Sequence, residues 1–229
     1  MDTQTVTIFF DVNETLSDLS TVADAFEEVG AARSLAATWF ATVLRDGFAL
    51  AAAGGETPFG AIATNNARDL LSGAQLAGTL DDAVDSVMAA FGTVGLHPDV
   101  PEGLHALSRA GHRLLTLSNG PTDVAERLLR EAGALDAIDQ LLTVQGHSLW
   151  KPTLGSYADA VSRTGTQGPA YLVAVHPWDI HGAAAAGLST VWINRGGGSY
   201  PAHFTRPTVT VASLNDLAGI DLALAAREA

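Results

Sequence analysis

The sequence predicts an α/β protein: a parallel sheet covered by helices, with a separate helical segment inserted after the first strand. Three observations carry this reading. Residues 6–10 form a short, unbroken β-rich run, the pattern of a strand buried on both faces. Residues 17–95 show helical periodicity and no strand-like alternation. From Pro98 onward, strand-like and helix-like stretches alternate, as βαβ units do.

The first strand stops at Asp11, and polar residues with Thr15 follow before Leu16. Ser20 is placed to cap a helix over 21–29, with Asp24 one position short of a capping box. Leu35, Trp39, Val43 and Leu44, then Phe48 and Ala52, recur at helical spacing until Gly54-Gly55 breaks the pattern. Thr57-Pro58 restarts it, and Ile62, Ala67, Leu70 and Leu71 mark the next helix. A further helix over 81–91 begins with acidic residues, as the helix dipole favours. These helices make one domain over 17–96, while 1–16 and 97–229 make the sheet core.

The core continues with a helix that has Pro near its start and Gly111 past its end. A second buried strand over 113–117 runs into Ser118-Asn119-Gly120, and a helix over 122–132 closes at Gly133. Strands are predicted over 141–144, 170–175, 190–193 and 208–211. A helix over 157–163 comes shortly after Lys151-Pro152, and an Ala-rich segment over 180–186 follows HPWD.

Composition narrows the function. The 229 residues are 47% hydrophobic, enough for a substantial core. A formal charge of −13 and only 12 basic residues argue against nucleic acid or an anionic membrane as partner. Without cysteine there is neither disulfide nor thiolate metal site, and the seven histidines show no zinc spacing. The N-terminus lacks a basic start followed by a long apolar run, and no stretch reaches the roughly 18 apolar residues of a membrane span. A soluble, cytoplasmic protein is expected.

A carboxylate at the carboxyl end of a parallel strand stands where open α/β sheets place their ligands. Four polar clusters follow four predicted strands: 11–15, Ser118-Asn119, Lys151-Pro152 and 176–179. Each alone has a plain structural reading, as a helix cap, a turn or a solvated cation. Their order, and the fact that Lys151 is the sole lysine, point to one shared crevice.

FDVNETL, LSNG, Lys151-Pro152 and VAVHPWDIHGAAAAGLSTVWINR resemble the four ordered motifs of the haloacid dehalogenase superfamily. The resemblance is greatest to its type II branch, the (S)-2-haloacid dehalogenases. It covers most of the core; in the helical segment it rests on position, length and the Trp39 region. It implies a Rossmann-like core with an α-helical cap, a small 2-haloacid as substrate, no cofactor, and a homodimer. On this resemblance Asp11 attacks C2, expels halide and forms an ester that water then hydrolyses to the 2-hydroxy acid. Lys151 would keep Asp11 ionised. Thr15 and Asn119 would hydrogen-bond the nucleophile and the ester oxygen, Ser118 would hold the substrate carboxylate, and Asp179 would position water or Lys151. Val12, Asn13, Phe59, Gly120 and Trp178 complete the implied substrate-binding set. Tyr157 reads equally as an active-site or a core tyrosine.

Several positions depart from the family pattern. Phosphatase members carry a general-acid Asp two residues after the nucleophile, where this chain has Asn13. They often carry two acidic residues in the last motif, where only Asp179 stands. Halide needs no proton to leave, so both departures favour dehalogenation. The alternative is a Mg²⁺-dependent phosphatase acting on a small phosphorylated metabolite. Asn13-Glu14 replaces Tyr-Gly, and Glu14 is expected to point away from an anionic substrate. Phe40 replaces an Arg that receives the halide; Arg45 is the nearest basic substitute, but about 100° per residue puts it off the face of Phe40. His176 replaces Asn and reads either as a pocket residue that activates water or as a structural support for Pro177.

Overall fold

The computed structural model describes residues 5–228. The chain divides into two compact units, one running through Ser17 and again from Leu96 onward, the other Asp18–Gly95. In chain order, β1 (Thr7–Phe10) and β2 (Ser17–Asp18) precede α1 (Ser20–Glu28), α2 (Leu35–Ala52), α3 (Phe59–Leu71) and α4 (Leu80–Gly92). Then come β3 (Gly95–Leu96), α5 (Val100–Arg109), β4 (Arg113–Ser118), α6 (Thr122–Glu131) and β5 (Gln140–Thr143). The chain finishes with α7 (Leu154–Arg163), β6 (Ala170–Ala174), α8 (Pro177–Ala185), β7 (Ser189–Ile193), β8 (Val209–Val211), α9 (Leu214–Leu217) and α10 (Leu222–Glu228).

The main sheet has the order β5-β4-β1-β6-β7-β8, and every neighbouring pair is parallel. The chain builds outward from β1 through β4 and β5, then returns to build the other way from β6. That reversal splays the connections apart and opens a crevice beyond the carboxyl ends of β1 and β6. Phe10 pairs with Thr116 on one side and Val173 on the other, so the residues after these strands emerge at one level. Alternate residues of β1 face opposite sides. Ile8 and Phe10 join a core with Leu104 of α5 and Leu214 of α9, while Phe9 is wholly buried on the other face. α8 packs on β6 and β7, so helices cover both faces and explain the continuous apolar strands. β2 and β3, where the chain leaves and re-enters this unit, pair as a separate two-stranded sheet.

The helical unit is organised around α2, whose buried residues Trp39, Phe40, Val43, Gly47 and Ala51 recur at helical spacing. Trp39 lies 6.3 Å from Phe40 and 5.3 Å from Phe91 between ring centroids; Phe59 stacks on Phe91 at 5.5 Å. The Trp39 indole N–H donates to the Ala63 carbonyl at 2.8 Å, which satisfies its polar end inside this apolar cluster. Arg45 is exposed, and its Nε donates to Asp46 at 2.7 Å.

Some elements differ from the sequence-based expectation. Ser20 does not cap α1: the cap position is Leu19, and the Ser20 N–H donates to Asp18 at 2.9 Å. Thr79 does cap α4, accepting from the Asp82 N–H at 3.1 Å. α8 begins at Pro177, with His176 at its cap position, so Pro177, Trp178 and Asp179 already lie in its first turn. Proline tolerates that first position because its missing N–H would have no partner there.

Candidate active site

Asp11 follows β1 directly, and its backbone N–H donates to the Val173 carbonyl of β6 at 3.0 Å, which fixes it at the crevice. The residue is 5% exposed. Lys151 arrives from the loop after β5, entirely buried, with Nζ 3.0 Å from Asp11 Oδ1 and 2.6 Å from Asp179 Oδ2. A buried ammonium carries a large desolvation cost and is retained where carboxylates surround it. Lys151 is therefore not the solvated cation that a lone lysine would suggest.

The other Asp11 oxygen, Oδ2, accepts from the Thr15 hydroxyl at 2.7 Å and from His176 Nδ1 at 3.1 Å. Thr15 Oγ1 in turn accepts from the Val175 N–H at 3.1 Å, so the hydroxyl is aimed rather than free to rotate. The opposite ring nitrogen of His176 lies 2.8 Å from Glu14 Oε2. Glu14 thus turns toward the site, contrary to expectation. Its backbone sits at φ 60°, a left-handed conformation that redirects the side chain. The Trp178 ring stacks on His176 at 5.0 Å and lies 5.9 Å from Lys151 Nζ.

Around this centre the remaining residues hold position. The Asn119 side chain clamps the Lys151 backbone, accepting from its N–H at 2.8 Å and donating to its carbonyl at 3.2 Å. Its oxygen and one amide hydrogen are thus spent on aligning the lysine. Ser118 Oγ accepts from the Gly120 N–H at 2.9 Å, and the Gly120 carbonyl accepts from Thr143 at 2.8 Å. Tyr157 is wholly buried and donates to Asp179 Oδ1 at 2.6 Å. Val12 is buried beside Asp11, and Asn13 is partly exposed. Trp192 packs in the core and donates to the Val175 carbonyl at 2.9 Å.

Two contributors were missed in the sequence. Arg195 Nη2 donates to the Thr15 carbonyl at 2.9 Å, while its Nη1 bonds Asp99 at 2.8 Å. Asp99 also accepts from the Leu214 N–H at 2.7 Å, so the turn carrying Thr15 is braced from β7 and α5. The Arg in WINR was a visible signal, but its partner is 96 residues away. The second contributor is Gly182 of α8. A Cβ there would lie 2.6 Å from Pro152 Cβ and 2.7 Å from the Tyr157 hydroxyl. Its hydrogen lets α8 press Asp179 against the lysine loop. Gly182→Ala is expected to destabilise the protein by about 1–3 kcal/mol through overpacking, read as a lower midpoint in urea unfolding.

Charge is shared across the cluster. Burial alone would raise the Asp11 carboxyl, but Lys151 and His176 outweigh it and hold the group well below the ordinary carboxylate range. Burial would lower His176, yet the hydrogen bonds and charges of Asp11 and Glu14 raise it to about 9. Burial also works against the Lys151 ammonium, and Asp11 and Asp179 reverse that effect and raise it. Asp179 is raised, first by burial and then by the Asp11 charge, despite its bond to Lys151. At neutral pH the nucleophile position therefore holds an ionised carboxylate between two cations.

A family model described as haloacid dehalogenase-like hydrolase matches residues 5–187. The chain is 35% identical over 117 residues to the (S)-2-haloacid dehalogenase of Pseudomonas sp. (strain YL), covering 51% of this chain and 50% of that protein. At that level of identity it spans about half the length of the curated relatives it matches. It is 27% identical over 212 residues to the (S)-2-haloacid dehalogenase of Pseudomonas fluorescens, covering 91% and 92% of the two chains. A crystal structure of a dehalogenase with intermediate complex superposes with a TM-score of 0.86 at 26% identity, covering 95% of this chain and 96% of that one. The matched segment runs from the strand before Asp11 through the helix carrying Asp179, and the chain belongs to the haloacid dehalogenase-like hydrolase family.

Proposed function

We propose that this protein hydrolyses the carbon–halogen bond of a small 2-haloalkanoic acid and releases the 2-hydroxy acid through an ester on Asp11. The observation that carries the reading is the state of Asp11: buried at the switch point, ionised, and reached by Lys151 and His176. A carboxylate so placed is a nucleophile. Asn13 supplies no proton to a leaving group, which suits halide, a stable anion, and not an alkoxide. The similarity to (S)-2-haloacid dehalogenases supports the same substrate class.

In this reading Lys151 and Thr15 orient the nucleophile, and Asn119 fixes Lys151 through its backbone. Ser118 and Gly120, whose N–H and hydroxyl already form a tight turn, receive the substrate carboxylate. Tyr157 fixes Asp179, and Trp178 forms an aromatic wall beside His176. The helical unit would serve as the cap; Phe40, Phe59 and Arg45 are the residues of it that the family pattern implies for the substrate, and Phe40 and Phe59 are buried within that unit while Arg45 is exposed. Homodimerisation and a cytoplasmic setting belong to the same reading. No described helix is long and apolar enough to cross a membrane.

A Mg²⁺-dependent phosphatase fits the residues less well. Magnesium requires carboxylate oxygens that are not already neutralised. Lys151 Nζ stands between Asp11 and Asp179, and His176 covers the second Asp11 oxygen. Cofactor-free hydrolysis is the proposal that follows. Halide release should be measured from small chloro-, bromo- and fluoro-substituted 2-haloacids, with and without chelator, with Asp11→Asn as control. Chelator-insensitive release that vanishes in the control is expected; no release across the panel contradicts the proposal.

A further inference from the structure

The two oxygens of Asp11 are not equivalent. Among the described residues one hydrogen bond reaches Oδ1, from Lys151 Nζ at 3.0 Å. Oδ2 receives two, from Thr15 at 2.7 Å and His176 at 3.1 Å. An oxygen with both lone pairs engaged is a poor nucleophile, whereas one with a single contact keeps a pair for attack. Both ring nitrogens of His176 face carboxylate oxygens, Asp11 on one side and Glu14 on the other. Carboxylates only accept, so the ring donates from both nitrogens and is an imidazolium. It is little exposed and stacked on Trp178, which fixes its plane.

We propose that the His176 imidazolium and the Thr15 hydroxyl form the oxyanion-stabilising pair for hydrolysis of the Asp11 ester, with Oδ1 the attacking oxygen and Oδ2 the oxygen that carries the charge. This rests on the aspartyl-ester reading above. Oδ1 forms a bond to C2 as the carbon–halogen bond breaks, and halide leaves with the electron pair. The oxygen of water then adds to Cγ, its proton passes to Asp179, and the carbonyl pair moves onto Oδ2. His176 and Thr15 already point at that oxygen, so no reorganisation is needed when the charge develops. Collapse restores the carbonyl and breaks Cγ–Oδ1. The departing alkoxide recovers the proton from Asp179, and the new Asp11 carboxyl sheds the one proton released per turnover.

Glu14 is a positioning residue in this scheme. While Asp11 is a neutral ester, Glu14 is the anion that keeps the ring charged. The charged groups around His176 are Asp11 and Glu14 in contact, with Lys151 and Asp179 on the far side of Asp11. His97 Nε2 lies 3.0 Å from the Glu14 carbonyl and helps hold the turn that presents it.

The test is single turnover of 2-chloropropionate with enzyme in excess, following halide release and the mass of the Asp11 peptide separately. In His176→Asn the halide burst is expected to survive, while ester hydrolysis slows about 10²–10³-fold and the ester accumulates. In Glu14→Gln the alkaline fall of the hydrolysis rate is expected to move to lower pH than in the wild type. Burst and hydrolysis falling together in His176→Asn, with no ester, would overturn the inference. Nitrogen NMR of His176 in the resting protein separates the two claims. A neutral ring near neutral pH with an intact wild-type burst sinks the oxyanion role alone; a charged ring with no burst sinks the dehalogenase reading.

Discussion

Asp11→Asn is expected to lower kcat by about 10⁴-fold or more, because the amide has nearly the same shape and no nucleophilic charge. Loss of a nucleophile removes the covalent route entirely, so the residual rate is that of a bound substrate beside water. The fold should survive, since Asp179 remains for Lys151 and Glu14 for His176. The substitution also changes the response to acid. The Asp11 carboxyl lies below its ordinary value of 3.8, so its contribution to stability is present above that value and fades as pH falls toward the depressed one. Acid unfolding of the variant should lack this component. Halide release and an acid titration followed by circular dichroism check both expectations.

Lys151→Met is expected to cost about 3–5 kcal/mol of stability as well as activity. Methionine fills much of the lysine volume, so the cost is electrostatic. It leaves Asp11 and Asp179 buried near each other with no ammonium between them. Both carboxyls should then titrate higher, and the variant should lose stability as pH rises through their raised values. Wild-type Lys151 acts in a different pH range: its folded value is raised above 10.5, so its contribution is full below 10.5 and is lost only as pH rises through that raised value. Urea unfolding of both proteins across pH reads the difference. Equal stability at every pH would mean that the pair contributes nothing net.

The succession of strands along the chain and the meeting of Asp11, His176 and Asp179 were legible because each cluster follows a buried apolar run with a distinct end; Lys151, eight residues beyond β5, was marked instead by its place among the motifs. The ends of a parallel sheet share one edge, so sequence position translated into spatial position. The roles of individual side chains were less legible. Glu14 was expected to face away because it would repel an anionic substrate; it turns inward to His176 from a left-handed position where the family pattern has Gly. Asn119 also bonds the backbone of Lys151, a partner 32 residues distant that no local pattern marks. Asp99 and Arg195 act together through a contact that no local pattern encodes. Periodicity reports faces and boundaries; partner choice across the chain is settled by packing.

In the proposed reaction Asp11 is alkylated and then regenerated by water at its own carbonyl. A single turnover in heavy-oxygen water, with enzyme in excess over 2-chloropropionate, tests it most directly. The product hydroxyl is expected without label, with one heavy oxygen in the peptide that contains Asp11. A labelled hydroxyl with an unlabelled Asp11 would mean that water attacks C2 directly and that no ester forms on Asp11.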